Sequence, residues 1–172
     1  MKLMDDIHLL KNVFTEEERE KMLKNSKPLV VDAHVLSLQT GLRHNVPNNQ
    51  SNPTVHLHPD FKWVYDRFLK IIKEKLDLDL VVDTSWVNEA DGTQIRNWHS
   101  HEPADYASVY YMKTNRLLNN GTQFKDKFFR APQNSLIVFP AHLLHSTPIN
   151  NILLRFWRYS RYTLATDFNK KE

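Results

Sequence analysis

Residues 97–112 read NWHSHEPADYASVYYM and combine a pair of histidines with a run typical of a β-strand. Alternate side chains of an extended chain share a face, so His99 and His101 are expected to point to the same side while Ser100 points away. Imidazole nitrogens bind iron, copper, zinc and nickel, and the pair therefore predicts part of a metal site. The alternative is an accidental spacing, with one histidine packed and the other solvated.

A third ligand is expected from residues 135–150, SLIVFPAHLLHSTPIN, where an apolar strand precedes two further histidines. His145 follows two leucines and is predicted to face inward, whereas His142 follows Pro-Ala and is predicted to be exposed. Arg155 comes ten residues after His145, across an Asn-Asn turn. A hairpin there would place this arginine beside His145, and a buried guanidinium needs an anion such as a carboxylate.

Composition excludes several classes of protein. The 172 residues contain 23 basic and 20 acidic side chains, a net charge of +3 that is too small and scattered to indicate nucleic-acid binding. The chain has no cysteine, which excludes disulfides, thiolate metal sites and cysteine nucleophiles. The opening MKLMDDIHLL lacks the apolar core of a signal peptide, and no stretch approaches a membrane span, so a cytoplasmic protein is expected.

The distribution of helix and strand patterns predicts the fold class. Thr15 and Glu18 form a capping-box signature for a first helix, and an apolar stripe at helical spacing predicts a second over residues 59–76. Residues 29–39 are β-rich, and the polar segment 43–54 is predicted to be a loop, a candidate lid. Short strand-like runs follow residue 78. One domain over residues 1–172 is expected, a β-sandwich or barrel backed by N-terminal helices.

The order of motifs resembles the iron(II)/2-oxoglutarate-dependent dioxygenase superfamily, in particular its prolyl-hydroxylase-like branch with small phage and bacterial members. The resemblance spans about residues 84–164. It rests on His-x-His, a strand with Tyr-Tyr, Gly-Thr-x-Phe, an apolar strand ending in Phe-Pro, a histidine, and then an arginine. It implies a double-stranded β-helix (jelly roll) of about eight strands, and an enzyme that uses Fe(II), 2-oxoglutarate and O₂ to hydroxylate a C–H bond.

Carried over position by position, the resemblance implies that His99, His101 and His145 bind the iron. The departure is His101, because most members of the superfamily have a carboxylate there, although small members also carry His-x-His. Three neutral ligands leave the iron with its full +2 charge. Asp105, just beyond Pro103, is a reserve ligand.

For the cosubstrate, the resemblance implies that Tyr111 and an arginine hold the distal carboxylate of 2-oxoglutarate. Arg155 has the usual distance from the distal histidine and is favoured. A two-residue turn would instead place Arg158 on the face of the histidine, so Arg158 stays an alternative. Arg161 is expected to be a solvated residue at the rim.

Two other functions remain open at this level. A cupin-type dioxygenase would use the same barrel and three histidines without 2-oxoglutarate, and a non-catalytic jelly-roll binding module would retain neither iron nor cosubstrate. The prime substrate is not identified, and either a peptide or a small molecule is compatible with the motifs.

Overall fold

Two helices form the support of the fold in the computed structural model, which describes residues 6–31, 49–90, 98–115, 121–147 and 160–171. Helix α1 (Glu16–Ser26) begins with the predicted capping box, in which the Thr15 hydroxyl accepts from the Glu18 amide and the Glu18 carboxylate accepts from the Thr15 amide. Helix α2 (Lys62–Leu76) follows a 3₁₀ turn over Pro59–Phe61. No helix in these ranges is long and apolar enough to cross a membrane.

Nine strands lie within the described ranges. In chain order they are β1 (His8–Lys11), β2 (Asn49–Gln50), β3 (Leu80–Ala90), β4 (Tyr106–Lys113), β5 (Thr122–Phe124), β6 (Phe128–Phe129), β7 (Ser135–Pro140), β8 (His145–Ser146) and β9 (Arg161–Lys170). They form a six-stranded sheet in the order β1-β7-β4-β9-β3-β2 and a three-stranded sheet in the order β6-β5-β8. The two antiparallel sheets with helices on one side are the predicted double-stranded β-helix.

The two faces of the larger sheet contact different parts of the protein, because successive side chains of a strand point to opposite faces. Tyr110 and Met112 of β4 pack with the helices, where Phe61 and Phe68 are fully buried. Each such aromatic contributes about 1.5–3 kcal/mol of burial free energy. Tyr111 of the same strand faces the opposite way, into the space between the two sheets. This interior is where the candidate site lies.

One short strand was not expected from the sequence. Asn49 and Gln50 fall in the segment predicted to be a loop, but they pair with Glu89 and Asn88 of β3. The pairing uses main-chain groups at the sheet edge, so the polar side chains of these residues do not indicate a strand in the sequence. Residues 32–48, which include most of the β-rich segment and half of the proposed lid, lie outside the described residues.

Candidate functional site

Three histidines converge at one end of the interior. His99 forms an isolated antiparallel bridge with His145, in which each backbone amide donates to the other's carbonyl at 3.1 and 3.0 Å. The amide of His101 donates to the carbonyl of Ala141 at 2.8 Å. The segment before β4 is thereby joined to the start of β8, which brings the predicted ligands together across more than forty residues of chain.

The geometry of the trio suits one metal ion. Each histidine offers one nitrogen, and the three ligand atoms all lie within 4.8 Å of one another. The Nε2 atoms of His101 and His145 are 3.2 Å apart. Two nitrogens bound to one ion at about 2.1 Å and at right angles would lie about 3.0 Å apart, so this pair needs almost no movement.

His145 is held in the neutral state that metal binding requires. Its side chain is buried among Phe124 and Phe139, whose ring centres lie 5.9 and 4.8 Å from the imidazole. Burial, followed by the neighbouring imidazoles of His99 and His101, lowers the pKa of His145 to about 3. Its Nδ1 lies 2.9 Å from the carbonyl of Leu143 and therefore donates, which leaves the lone pair on Nε2.

His101 has neighbours that the sequence did not reveal. Its ring stacks on Trp86 of β3, with centres 5.5 Å apart and planes inclined by 27°. Its Nδ1 lies 2.9 Å from Oδ1 of Asp167. The sequence pattern that could have identified Asp167 as an interior residue is the alternation along β9. The face turned away from the helices carries Arg161, Thr163, Ala165 and Asp167.

A second polar group lies in the same interior, around Arg161 at the start of β9. The guanidinium carbon lies 5.1 Å from the ring centre of Tyr111, and the two side chains are hydrogen-bonded. The Tyr111 phenol also shares a hydrogen bond with the Thr122 hydroxyl. Burial raises the pKa of Tyr111 and lowers that of Arg161, yet an arginine stays protonated in proteins. The group presents a fixed cation and two hydroxyls.

Gly121 allows Thr122 to enter this group. Its φ is +126°, a conformation that side chains rarely adopt, and an added Cβ would lie 2.1 Å from the carbonyl oxygen of Phe129. Only glycine therefore lets the chain pass this close to β6 and then turn into β5. The predicted Gly-Thr-x-Phe segment thus has a steric reason for its glycine.

The remaining expectations have different outcomes. His142 is exposed, as predicted. The expectation that Arg161 is a solvated rim residue is wrong, because it is only 4% exposed; the sheet register turns it inward. Arg155 and Arg158 lie outside the described residues. Asp105, the reserve ligand, is not part of the three-histidine group, and its Oδ2 accepts from the amide of Lys170 at 2.8 Å.

The comparisons with protein-family models and with curated proteins find no match, whereas structural comparison finds proteins of similar fold. HygX from Streptomyces hygroscopicus, with nickel and 2-oxoglutarate bound, is similar over 96% of this chain and 83% of its own, with a TM-score of 0.71 and 10% identity.

Two prolyl hydroxylases are also similar. The viral collagen prolyl hydroxylase of Paramecium bursaria Chlorella virus-1 covers 97% of this chain and 90% of its own, with a TM-score of 0.65 and 9% identity. A Trichoplax adhaerens prolyl hydroxylase, in complex with a hypoxia-inducible-factor peptide fragment, covers 97% and 84%, with a TM-score of 0.68 and 10% identity. At this level of identity the likeness establishes a shared fold.

Proposed function

We propose that this protein is an Fe(II)- and 2-oxoglutarate-dependent dioxygenase that hydroxylates a C–H bond, with the whole chain forming one such domain. The observation that carries the proposal is the pairing of two sites in one interior. Three histidines cluster within metal-binding distance, and the buried Arg161, Tyr111 and Thr122 form a second group. Tyr111 packs in one apolar cluster with Phe124 and Phe139, the two rings beside His145. The similar fold of HygX, which binds nickel and 2-oxoglutarate, supports the same interpretation.

The histidine group fits Fe(II). Imidazole is a borderline ligand that suits iron, and three nitrogens on one side of an ion leave positions open for other molecules. The Nδ1 atom of His145 faces the Leu143 carbonyl and that of His101 faces the Asp167 carboxylate. Both rings therefore direct Nε2 at the centre of the group, which is the arrangement that metal-binding histidines require.

The Arg161 group fits the distal carboxylate of 2-oxoglutarate. A guanidinium can donate two parallel hydrogen bonds to a carboxylate, and two hydroxyls beside it can donate further ones. Arg161 replaces Arg155 as the favoured anchor, because its guanidinium is buried against Tyr111, the tyrosine predicted to bind the same carboxylate. Arg155 and Arg158 stay alternatives.

The protein's contribution would be to position the reactants and exclude water. When bound, Fe(II) and 2-oxoglutarate supply the oxidising chemistry that converts O₂, cosubstrate and a C–H bond into an alcohol, succinate and CO₂. His99, His101 and His145 would hold the ion. Arg161 and Tyr111 would hold the distal carboxylate of the cosubstrate. Phe124 and Phe139 surround His145 and keep that side of the site dry.

The substrate is proposed only as a class. The Trichoplax protein holds a peptide fragment, and HygX has also been solved with hygromycin B. Either a peptide or a small molecule would suit the fold, and O₂ is the co-reactant. No feature of the sequence suggests nucleic acid or a membrane as a partner, and a cytoplasmic location remains our expectation.

Conversion of 2-oxoglutarate to succinate by the Fe(II)-treated protein tests this function. We expect slow uncoupled turnover that accelerates with a substrate from a panel of peptides and small molecules. Oxidation of a substrate without any need for 2-oxoglutarate would identify a cupin-type enzyme instead. Failure to bind Fe(II) and to consume 2-oxoglutarate would identify a binding module.

A further inference from the structure

Asp167 is a carboxylate in the interior of the sheet and is only 9% exposed. Its Oδ2 accepts a hydrogen bond from the Thr84 hydroxyl at 3.0 Å. Its Oδ1 lies 2.9 Å from Nδ1 of His101, although no donor among the described residues is aligned with Oδ1 for a regular hydrogen bond. At that separation a proton on Nδ1 of His101 can be shared with this oxygen, and a buried carboxylate oxygen without a donor is costly.

The His101 ring is held between two groups. Trp86 covers one face, and Asp167 faces the Nδ1 edge, while Nε2 points towards Nε2 of His145. A carboxylate accepts hydrogen bonds and donates none, so it selects the imidazole tautomer that has its proton on Nδ1. The lone pair is then on Nε2, where the metal would be.

We propose that Asp167 is a positioning residue for His101, fixing its tautomer and orientation for metal binding. The inference rests on the proposed metal site. Three imidazoles bring no negative charge to a divalent ion, and Asp167 places a negative charge beside the Nδ1 edge of His101. Such outer carboxylates raise the basicity of a bound imidazole, and their loss typically weakens metal binding about 10- to 100-fold.

Titration of the metal-free protein with Co(II), an oxygen-stable substitute for Fe(II), tests the proposal. Asp167→Asn retains the shape of the side chain and removes its charge, so we expect a dissociation constant about 10- to 100-fold higher. Thr84→Val releases one oxygen of the carboxylate and should have a smaller effect. The matched control is Asp83→Asn, which removes the same charge from an exposed position one residue before Thr84.

A second measurement separates positioning from general damage to the fold. Nitrogen-15 NMR of the metal-free protein reports which ring nitrogen of His101 carries the proton. We expect the Nδ1–H form in the parent and in Asp83→Asn, and a mixture of forms in Asp167→Asn with the thermal unfolding midpoint little changed. Equal Co(II) affinity and the same tautomer in Asp167→Asn and the parent would overturn the role of Asp167. A parent that binds no Co(II) would instead overturn the proposed metal site, and this inference with it.

Discussion

The guanidinium of Arg161 lies over the ring of Tyr111, 5.1 Å from its centre, with both side chains buried between the sheets. Tyr111 belongs to β4 and Arg161 begins β9, and the two strands are hydrogen-bonded neighbours. The pair therefore sits on rigid sheet rather than on a loop, which suits a site that must hold a small dicarboxylate in one orientation.

Arg161→Ala is predicted to weaken 2-oxoglutarate binding about 10- to 150-fold, because a charge-assisted bidentate pair contributes about 1.5–3 kcal/mol. Calorimetric titration of the Ni(II)-loaded protein with 2-oxoglutarate measures this. Arg161→Lys keeps the charge without the planar fork and should be intermediate. Metal binding should be nearly unchanged in both.

The control for that experiment is Arg130→Ala, at an exposed position, which should bind 2-oxoglutarate like the parent. Arg155→Ala tests the arginine that the spacing favoured, and Arg158→Ala tests the alternative that a two-residue turn would place on the face of the histidine. A large loss in either of them, with none in Arg161→Ala, would move the anchor to that residue.

His99→Ala and His145→Ala are each predicted to abolish tight Fe(II) binding, because two ligands remain where three are needed. Anaerobic Fe(II) titration and circular dichroism together measure occupancy and fold. His142→Ala is the matched control, since His142 is exposed and close in sequence to His145. Full iron occupancy in either ligand variant would show that the assignment of that histidine is wrong.

His101→Ala is predicted to lose most of the bound Fe(II), and the double variant with Asp105→Ala should bind no less than the single one. The reason is that the Asp105 carboxylate accepts from the Lys170 amide and is not part of the histidine group. Parallel iron titrations of the two variants decide this. A further drop in the double variant would establish Asp105 as the reserve ligand.

Tyr110→Phe is predicted to make the free energy of unfolding fall less steeply as the pH becomes alkaline. The Tyr110 phenol donates to Oδ1 of Asn134 at 2.9 Å, and burial raises its pKa well above the ordinary value near 10. At pH values above about 10, the Tyr110 phenol loses its proton in the unfolded chain but retains it in the folded chain. The free energy of unfolding therefore falls as pH rises, by about 1.4 kcal/mol per pH unit for this group.

Urea unfolding from pH 8 to 11.5 measures the effect. At pH 8 the phenylalanine variant should be about 1 kcal/mol less stable because the hydrogen bond is lost. Above pH 10 the two curves should converge, since only the parent contains this shifted group. Parallel curves over the whole range would contradict the assignment of the shift to Tyr110.

Much of the fold was predictable because its signals are local. The capping box at Thr15, the apolar strand ending in Phe-Pro and the helical stripe of α2 depend on neighbours within a few residues, and the structure confirms them. The sequence predicted His99 and His101 as ligands from a spacing that places both on one side of an extended chain, and His145 from its position after an apolar run. In the structure the three histidine side chains lie close together, as the order of motifs along the sequence led us to expect.

The sequence by itself determined many of the elements and singled out the histidines, whereas the tertiary structure decided what surrounds them. A register shift between Val82 and Thr84 reverses which side chains of β3 face the interior, and so brings Thr84 and Trp86 to the site. The pairing of β9 with β3 and β4 turns Arg161 and Asp167 inward. These outcomes depend on register between strands distant in sequence, and a single strand's alternation shows which residues share a face without showing which face is buried.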